Sequence, residues 1–492
     1  MRAKLIYKDI APGADVDASV ITSDAQSFCS PALLPFDTSV PPIITLEPNM
    51  WLLDGSFKLL RNQDIPFWSK QMSDENGVFS TPPVIEIEFD EQYTTFGIYL
   101  RFSPETGDYC TSVTIKWYQD ATLLDSKDFA PTSVSYFCAN KVTAFNKVVI
   151  FLNATNRPHR YARVENIIFG IIREFGADEF RSVTILQELD LISSELPIST
   201  LNWLLVSKSD MEYIFQLKQP VEAYSGSNLI GVFYISEAKR TGPNTYEITC
   251  EDALGVLDGY FFPAAIYSEY NAAQLLREIA SPDFDVEIDS VFEDVTVTGL
   301  IPDCTKREAF QQVLFAIGAA CTTAGRAGIK VFAPPAENPA EIPDCRIYVG
   351  GSMETEPIVT AVRVTAHTYT PGTGSAGDEV IEVGGQKYVH KTFVVTVTNP
   401  NVTATDKQNV ITVETATLVN PNNANEVAQR VYDYFMRRHT LNERIVVNGE
   451  QPGDYVITST PWDTIVEGNI ISMLTILSNT TASDIRIKAK GD

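Results

Sequence analysis

The sequence holds little of what most enzymes and nucleic-acid binders display. It has four histidines in 492 residues, His159, His367, His390 and His439, spread far apart along the chain. No nucleophile elbow, HExxH helix or phosphate loop occurs, nor a dinucleotide fingerprint that opens a helix. Nothing therefore assigns a catalytic residue, a cofactor or a metal, and the chain reads as a non-enzyme. Seven cysteines, at 29, 110, 138, 250, 304, 321 and 345, form no CxxC pair. Their odd number argues against a disulfide framework and against zinc. Free, mostly buried thiols suit folding in a reducing cytoplasm. No apolar run approaches the roughly 20 residues that span a bilayer. The opening MRAKLIYKDIAPGADVD has no apolar stretch after its basic residues, so neither membrane insertion nor a secretory leader is expected.

Basic residues are also scarce. Lys and Arg number 37 against 63 Asp and Glu, a net charge of −26. A basic stripe of the kind that grips nucleic acid is not visible. An acidic surface keeps molecules apart in solution, or lines a passage that a polyanion must slide through without sticking. The stretch from 171 to 345 is markedly acidic.

What is present is a mainly β pattern. At roughly 150 residues per domain the chain divides into about three or four parts. Residues 1–35 form an N-terminal segment with a short strand, KLIYKDI, broken by Pro12-Gly13. Residues 36–170 read as a compact stack of short antiparallel strands. In VIEIEF, Val84, Glu86 and Glu88 share one face and Ile85, Ile87 and Phe89 the other. FGIYLRF, VTIKWYQD and KVVIFLN repeat that alternation. Trp51, Trp68 and Trp117 are either core aromatics or rings on which a sugar can stack. Trp117 lies in a strand beside Ile115, where packing is the default, and Trp68 adjoins the polar loop SKQMSDENG. Asp74, Glu75 and Asn76 in that loop read as a solvated turn rather than a calcium site. Trp68 and Asn76 are the candidate ligand or partner residues.

Residues 171–262 read as a series of half-buried β-strands joined by tight turns: VTILQELDLISSELP with a bulge expected at LQEL, an edge or bulge at Pro220, and turns at 225–228 and 241–244. Glu251-Asp252 reads as turn or edge charge. Residues 263–345 form a small α/β domain with helices expected at 267–280 (Asn271 capping) and 305–320 (Thr305 and Glu308 forming a capping box). Between them FDVEIDS puts Asp283, Asp285, Glu287 and Asp289 on one face, read as a solvated or lumen-facing row rather than a metal site. Residues 346–492 return to β, with RIYVGG as a strand, TPGTGSAGDEVIEVGGQ as an insertion or hairpin tip, and an inserted helix over 423–439 capped by Asn423 and Glu426. The last apolar strand ends in EGNIISMLTILSN. The remaining SNTTASDIRIKAKGD is expected to trail beyond the sheet.

Two family resemblances follow from these residues. WSKQMSDENGVFSTPPVIEIEF, TTFGIYLRFSPETGDYCTSVTIKWYQD and FNKVVIFLNATNRPHRYARVENIIFG resemble a discoidin-like (galactose-binding-like) jelly roll. Glu195-Leu196-Pro197, the hairpin from Val221 to Ile235 and the stretch from Tyr246 to Leu257 resemble the first tube-forming barrel of phage tail baseplate hub proteins. GDYVITSTPWDTIVEGNIISMLTIL is similar to the terminal strands of the second hub barrel. The hub resemblance implies a structural virion protein at the tail tip, assembled in the bacterial host cytoplasm. It implies a homotrimer whose six barrels join a threefold tip to a sixfold tube. Its partners would be the distal tail protein ring, the tape-measure protein and a spike or fibre, with DNA as passing cargo. With a short tail after the last apolar strand, the peptidase or lysin module that many hub relatives carry is not expected. The jelly-roll resemblance supports a competing function, an adhesin that binds a cell-surface glycan.

Overall fold

A computed structural model of the chain describes residues 3–10, 14–36, 47, 65–104, 106–207, 215–403, 407–462, 464–477 and 482–489. Trp51 and Pro12-Gly13 lie outside them. Strands dominate and the helices are few and short, so the chain is mainly β with a smaller α/β part. It divides into two compact units, residues 7–173 and residues 1–6 with 174–492.

In the unit of residues 7–173 the long strand Val84–Phe102 is the spine. Ser135–Thr155 pairs antiparallel along one edge of it, and Cys110–Gln119 and Thr122–Phe129 follow outward. Ser19–Thr22 and then residues of Tyr161–Gly176 pair along its other edge. The alternation in VIEIEF is realised: Ile85, Ile87 and Phe89 are buried, while Glu86 and Glu88 both meet the Lys147 ammonium, Glu88 at 3.0 Å. Trp117 is fully buried and meets Phe129 edge-on at 6.4 Å.

The larger unit is built on one continuous run of strands. The order is Pro220–Ser225, Asn228–Gly242, Thr245–Glu251, Thr200–Val206, Phe180–Glu188, Ile465–Ile476, Ala482–Ala489, His439–Val446 and Ser352–Thr355, every neighbour antiparallel. The turn at 225–228 forms with Gly226 at φ +65°, a left-handed conformation that suits glycine. Phe180–Glu188 pairs without a shift from Thr184 to Glu188, so the bulge expected at LQEL is absent. The irregularity lies earlier in the same strand, where Arg181 is skipped between Ser182, opposite Leu204, and Phe180, opposite Leu205. Two further expectations change in the C-terminal part. RIYVGG is a 3-10 turn at Asp344–Arg346 followed by loop, touching the sheet through a single bridge, Ile347 to Ile445. SNTTASDIRIKAKGD does not trail away: Ala482–Ala489 is an inner strand, paired on both edges. Its alternation, Ser483, Ile485 and Ile487 buried, is diluted by charged residues on the open face.

The α/β part contributes three helices. Ala272–Ala280 starts later than expected because residues 265–271 form a strand against Thr296–Ile301. Asn271 Oδ1 caps the helix by accepting the Gln274 N–H at 2.7 Å. Leu275, Leu276 and Ile279 are fully buried, each stabilising the fold by about 1.5–3 kcal/mol. Lys306–Ile317 has its capping box at Thr305 and Glu308 and stops at Gly318, φ +80°. Asp252 is not an edge charge. It is buried as the cap of Ala253–Asp258, accepting the N–H groups of Leu254 and Gly255 and the Thr323 hydroxyl, and burial pushes its carboxyl up to about 6. The inserted helix is Ala424–Phe435, without the expected capping box. Asn423 itself has helical φ and ψ, and its Oδ1 accepts the Asn420 N–H instead. Arg437 and Arg438 fall beyond that helix and bond Asn469 Oδ1 and the Glu356 carbonyl.

Candidate assembly seam

The feature that organises the larger unit is the strand Ile465–Ile476, because two sheets share it. Along one edge its first half, Ile465 to Asn469, pairs with Tyr455–Ser459. Its second half, Ser472 to Ile476, pairs along the same edge with Phe180–Glu188. The opposite edge pairs from Gly468 to Ile476 with Ala482–Ala489, and the register shifts there between Ile470 and Ser472. That shift falls where the strand changes partner. An extra residue bends a strand and increases its twist, which is what leaving one sheet for another requires.

Main-chain hydrogen bonds tie both sides of the switch. Ile470 donates to the Asp454 carbonyl at 2.9 Å and accepts from Gly453 N–H at 2.7 Å, and the Ile471 carbonyl accepts from Leu189 N–H at 2.9 Å. Asn469, 0% exposed, locks the turn-over. Its amide donates to the carbonyls of Pro335 (2.8 Å) and Gly453 (3.3 Å), and its Oδ1 accepts from Arg437 (2.6 Å). A buried amide with three satisfied bonds specifies one geometry, since any shift orphans a polar group. Nothing in the sequence singled out Asn469. The signal available was a polar residue inside the apolar run EGNIISMLTIL.

On the open face of the seam, cross-strand rows run over several strands. One row holds Leu186, Leu474, Asp484 and Arg444. A second holds Thr184, Ile476, Ala482 and Val446. Leu474, Ile476 and Val446 are 37–41% exposed, and Tyr348 and Val349 beside them are open as well. Arg444 and Asp484 pair at 2.9 Å across the first row. A cavity of about 700 Å³ opens over this face.

The residues singled out in the sequence lie elsewhere. Trp68 is 6% exposed, with the Arg163 guanidinium 4.2 Å from its ring centroid and the edges of Phe28 and Tyr161 at 5.6 and 5.9 Å. Arg163 is itself ion-paired to Glu47. The indole is spoken for within the protein and offers no open face to a sugar. Asn76 is in the turn closed by Asp74, whose Oδ1 accepts the N–H groups of Asn76 and Val78, each at 2.8 Å. Those bonds hold the Asp74 carboxyl below its ordinary range. The acidic row of FDVEIDS is partly neutralised: Asp283 pairs with Lys306 (3.0 Å), and Glu287 with Arg326 (2.6 Å) and Lys330 (3.7 Å). Among the described residues no cluster of His, Cys, Asp or Glu is arranged to hold a metal.

No family model matches the chain, and no curated protein matches it. Among solved structures it is similar to the tail protein from Neisseria meningitidis MC58, at 13% identity over 64% of this chain and 93% of that one, TM-score 0.46. It is similar to the 43 kDa tail protein of prophage MuSo2 from Shewanella oneidensis, at 10% identity over 64% and 95%, TM-score 0.44. It is also similar to prophage tail protein gp18 from Listeria monocytogenes EGD-e, at 12% identity over 63% and 91%, TM-score 0.42. These similar structures are tail proteins.

Proposed function

We propose that this chain is a structural subunit of a phage-type tail, the baseplate hub, acting as a homotrimer that joins the sixfold tube to the threefold tip. The observation that carries this reading is the shared strand Ile465–Ile476, which sets two antiparallel sheets side by side in one chain. Three such chains supply six similar sheets, the number a sixfold neighbour needs from a threefold assembly. The distal tail ring, the tape-measure protein and a spike or fibre are the partners of such a hub. The discoidin-like assignment of residues 36–170 belongs to the same proposal, as a docking or decorating module. The adhesin reading draws nothing from Trp68, which lies buried under Arg163.

Charge supports a passage for DNA. Residues 171–345 hold 27 acidic and 11 basic residues, and an acidic lining repels a polyanion. Mass photometry of the purified chain is expected to give a species of three times the 54.4 kDa chain mass. Cryo-electron microscopy of it is expected to show a closed collar with an acidic bore. A monomer at micromolar concentration in the presence of the tail ring protein would remove the hub reading. A basic bore would remove the passage alone.

A further inference from the structure

Two of the four histidines meet on the four-stranded sheet of the C-terminal part. Strand Ala361–Pro371 pairs antiparallel with Gln386–Thr398, and that strand pairs with Glu379–Val383 through a two-residue turn at Gly384-Gly385. Both glycines have positive φ, +58° and +79°, as a tight hairpin of this kind requires. Register puts Tyr369, His390 and Glu379 in one cross-strand row, with His367 diagonal to His390 on the same face. The rings of His367, Tyr369 and His390 stack within 6° of parallel.

Hydrogen bonds thread this row. Glu379 Oε2 lies 2.8 Å from His390 Nδ1, His390 Nε2 lies 3.0 Å from His367 Nδ1, and His367 Nε2 lies 3.1 Å from the Glu414 main-chain carbonyl. The ends fix the protons. A carbonyl only accepts, so His367 Nε2 carries hydrogen. A carboxylate only accepts, so His390 Nδ1 carries hydrogen. One proton remains between the two rings. His367 is 6% exposed, and burial holds its imidazole below the ordinary range. It is therefore the neutral partner, its Nδ1 accepting from His390 Nε2–H, and His390 turns its Nδ1–H to Glu379.

We propose that Glu379, His390 and His367 form a one-proton latch that pins the hairpin Glu379–Thr398 to its sheet and opens when a second proton reaches His367. That proton would set two N–H groups against each other at 3.0 Å, with the Glu414 carbonyl already used. The groups facing His367 are Tyr369 on its own strand, His390 and Glu379 across the hairpin, and the main chain at Glu414. Lys391, paired to Asp378 at 3.8 Å, occupies the alternate face. The latched hairpin binds fewer protons than the opened one between the ordinary imidazole value and the lowered one. Its stability therefore falls as pH falls through that window. This inference does not depend on the hub reading.

With four histidines in the chain, ring-labelled histidine gives a countable nitrogen spectrum. At pH 7.5 one histidine should appear as the neutral Nε2–H form and one with both nitrogens protonated, assigned through His367→Gln and His390→Gln. Hydrogen exchange of peptides over 379–391, corrected for intrinsic rates, should rise about tenfold between about pH 6.5, the ordinary imidazole value, and about pH 5. His367→Gln should abolish that acid response, and Glu379→Gln should loosen the hairpin already at pH 7.5. A Nδ1–H form of His367, equal protection at both pH values, or an undiminished acid response in His367→Gln would each overturn the latch.

Discussion

The two sheets that share Ile465–Ile476 have the same antiparallel frame and opposite fillings. Under the first, aromatic rings interlock: Phe175 meets Trp203 at 5.1 Å, Trp203 meets Phe215 at 5.8 Å, and Phe215 meets Tyr246 at 5.8 Å. Under the second, the buried cluster is Leu441, Ile445, Val456, Ile470, Met473, Ile485, Ile487 and smaller neighbours, with no ring among them. Buried polar groups stand beside that cluster, with Glu443 accepting from Thr458 at 3.1 Å and Thr475 bonded to Ser483 at 2.6 Å. Alternation and ladder bonds make the frame, and any apolar set of the right volume fills it. Two antiparallel sheets can therefore have the same frame with different fillings.

The largest expected effect tests the filling. Trp203→Ala should cost about 3–5 kcal/mol by chemical denaturation, since the ring is wedged between Phe175 and Phe215. Ile485→Val, which removes one methylene from the aliphatic filling, should cost about 0.5–1.5 kcal/mol. Equal costs would mean that the rings are not what holds the first sheet. The frame is tested next. Asn469→Ala should cost about 2–3 kcal/mol, because it orphans the Pro335 and Gly453 carbonyls and the Arg437 guanidinium together. Hydrogen exchange in that variant should rise on both sides of the switch, at 465–469 and at 472–476. A rise confined to one half would show that the sheets are held independently.

The sequence made the frame legible wherever one face was apolar and the other polar. VIEIEF, VTAVRVTAHTY and the strand ending in SMLTIL are examples, as are the caps at Asn271 and Thr305, whose chemistry is local. It misled where tertiary partners decide. ASDIRIKA looks like a tail because Asp484, Arg486 and Lys488 dilute its alternation. It becomes an inner strand only because His439–Val446 and Ile465–Ile476 each supply an edge. Asn423 followed by Glu426 has the form of a capping box, yet Asn420 claims the Asn423 side chain. Trp68 beside a polar loop looks available for a ligand, and it took Arg163, nearly a hundred residues later, to cover it. Asn469 was invisible because its three partners come from three separate stretches of chain.

The polar residues beneath the second sheet allow a finer test. Glu443 is 3% exposed, and its Oε1 has no hydrogen-bond partner. Burial raises its carboxyl above the ordinary range, while the Thr458 hydroxyl pulls the other way. The folded state therefore holds this proton more tightly than the unfolded chain does. The associated stability is present below the ordinary glutamate value near pH 4.3 and is lost as pH rises through the folded value. Glu443→Gln keeps an acceptor for Thr458 and escapes that loss. It should be more stable than the parent by about 1 kcal/mol at pH 8, with the gap closing near pH 4. A gap independent of pH would show that the carboxyl titrates alike in the folded and unfolded chain, so that burial does not raise it.

The smallest expected effect lies on the open face. Arg444 and Asp484 pair at 2.9 Å with side chains more than two-fifths exposed. Water and salt screen such pairs, so Arg444→Ala should change stability by less than about 0.5 kcal/mol. Leu474→Gln, on the same row at 37% exposure, should likewise leave the fold intact. Each variant then separates folding from association. If the seam is an assembly surface, Leu474→Gln shifts the oligomer equilibrium measured by mass photometry toward monomer while the denaturation midpoint stays in place. Unchanged association in both variants would show that these rows are not the contact between subunits.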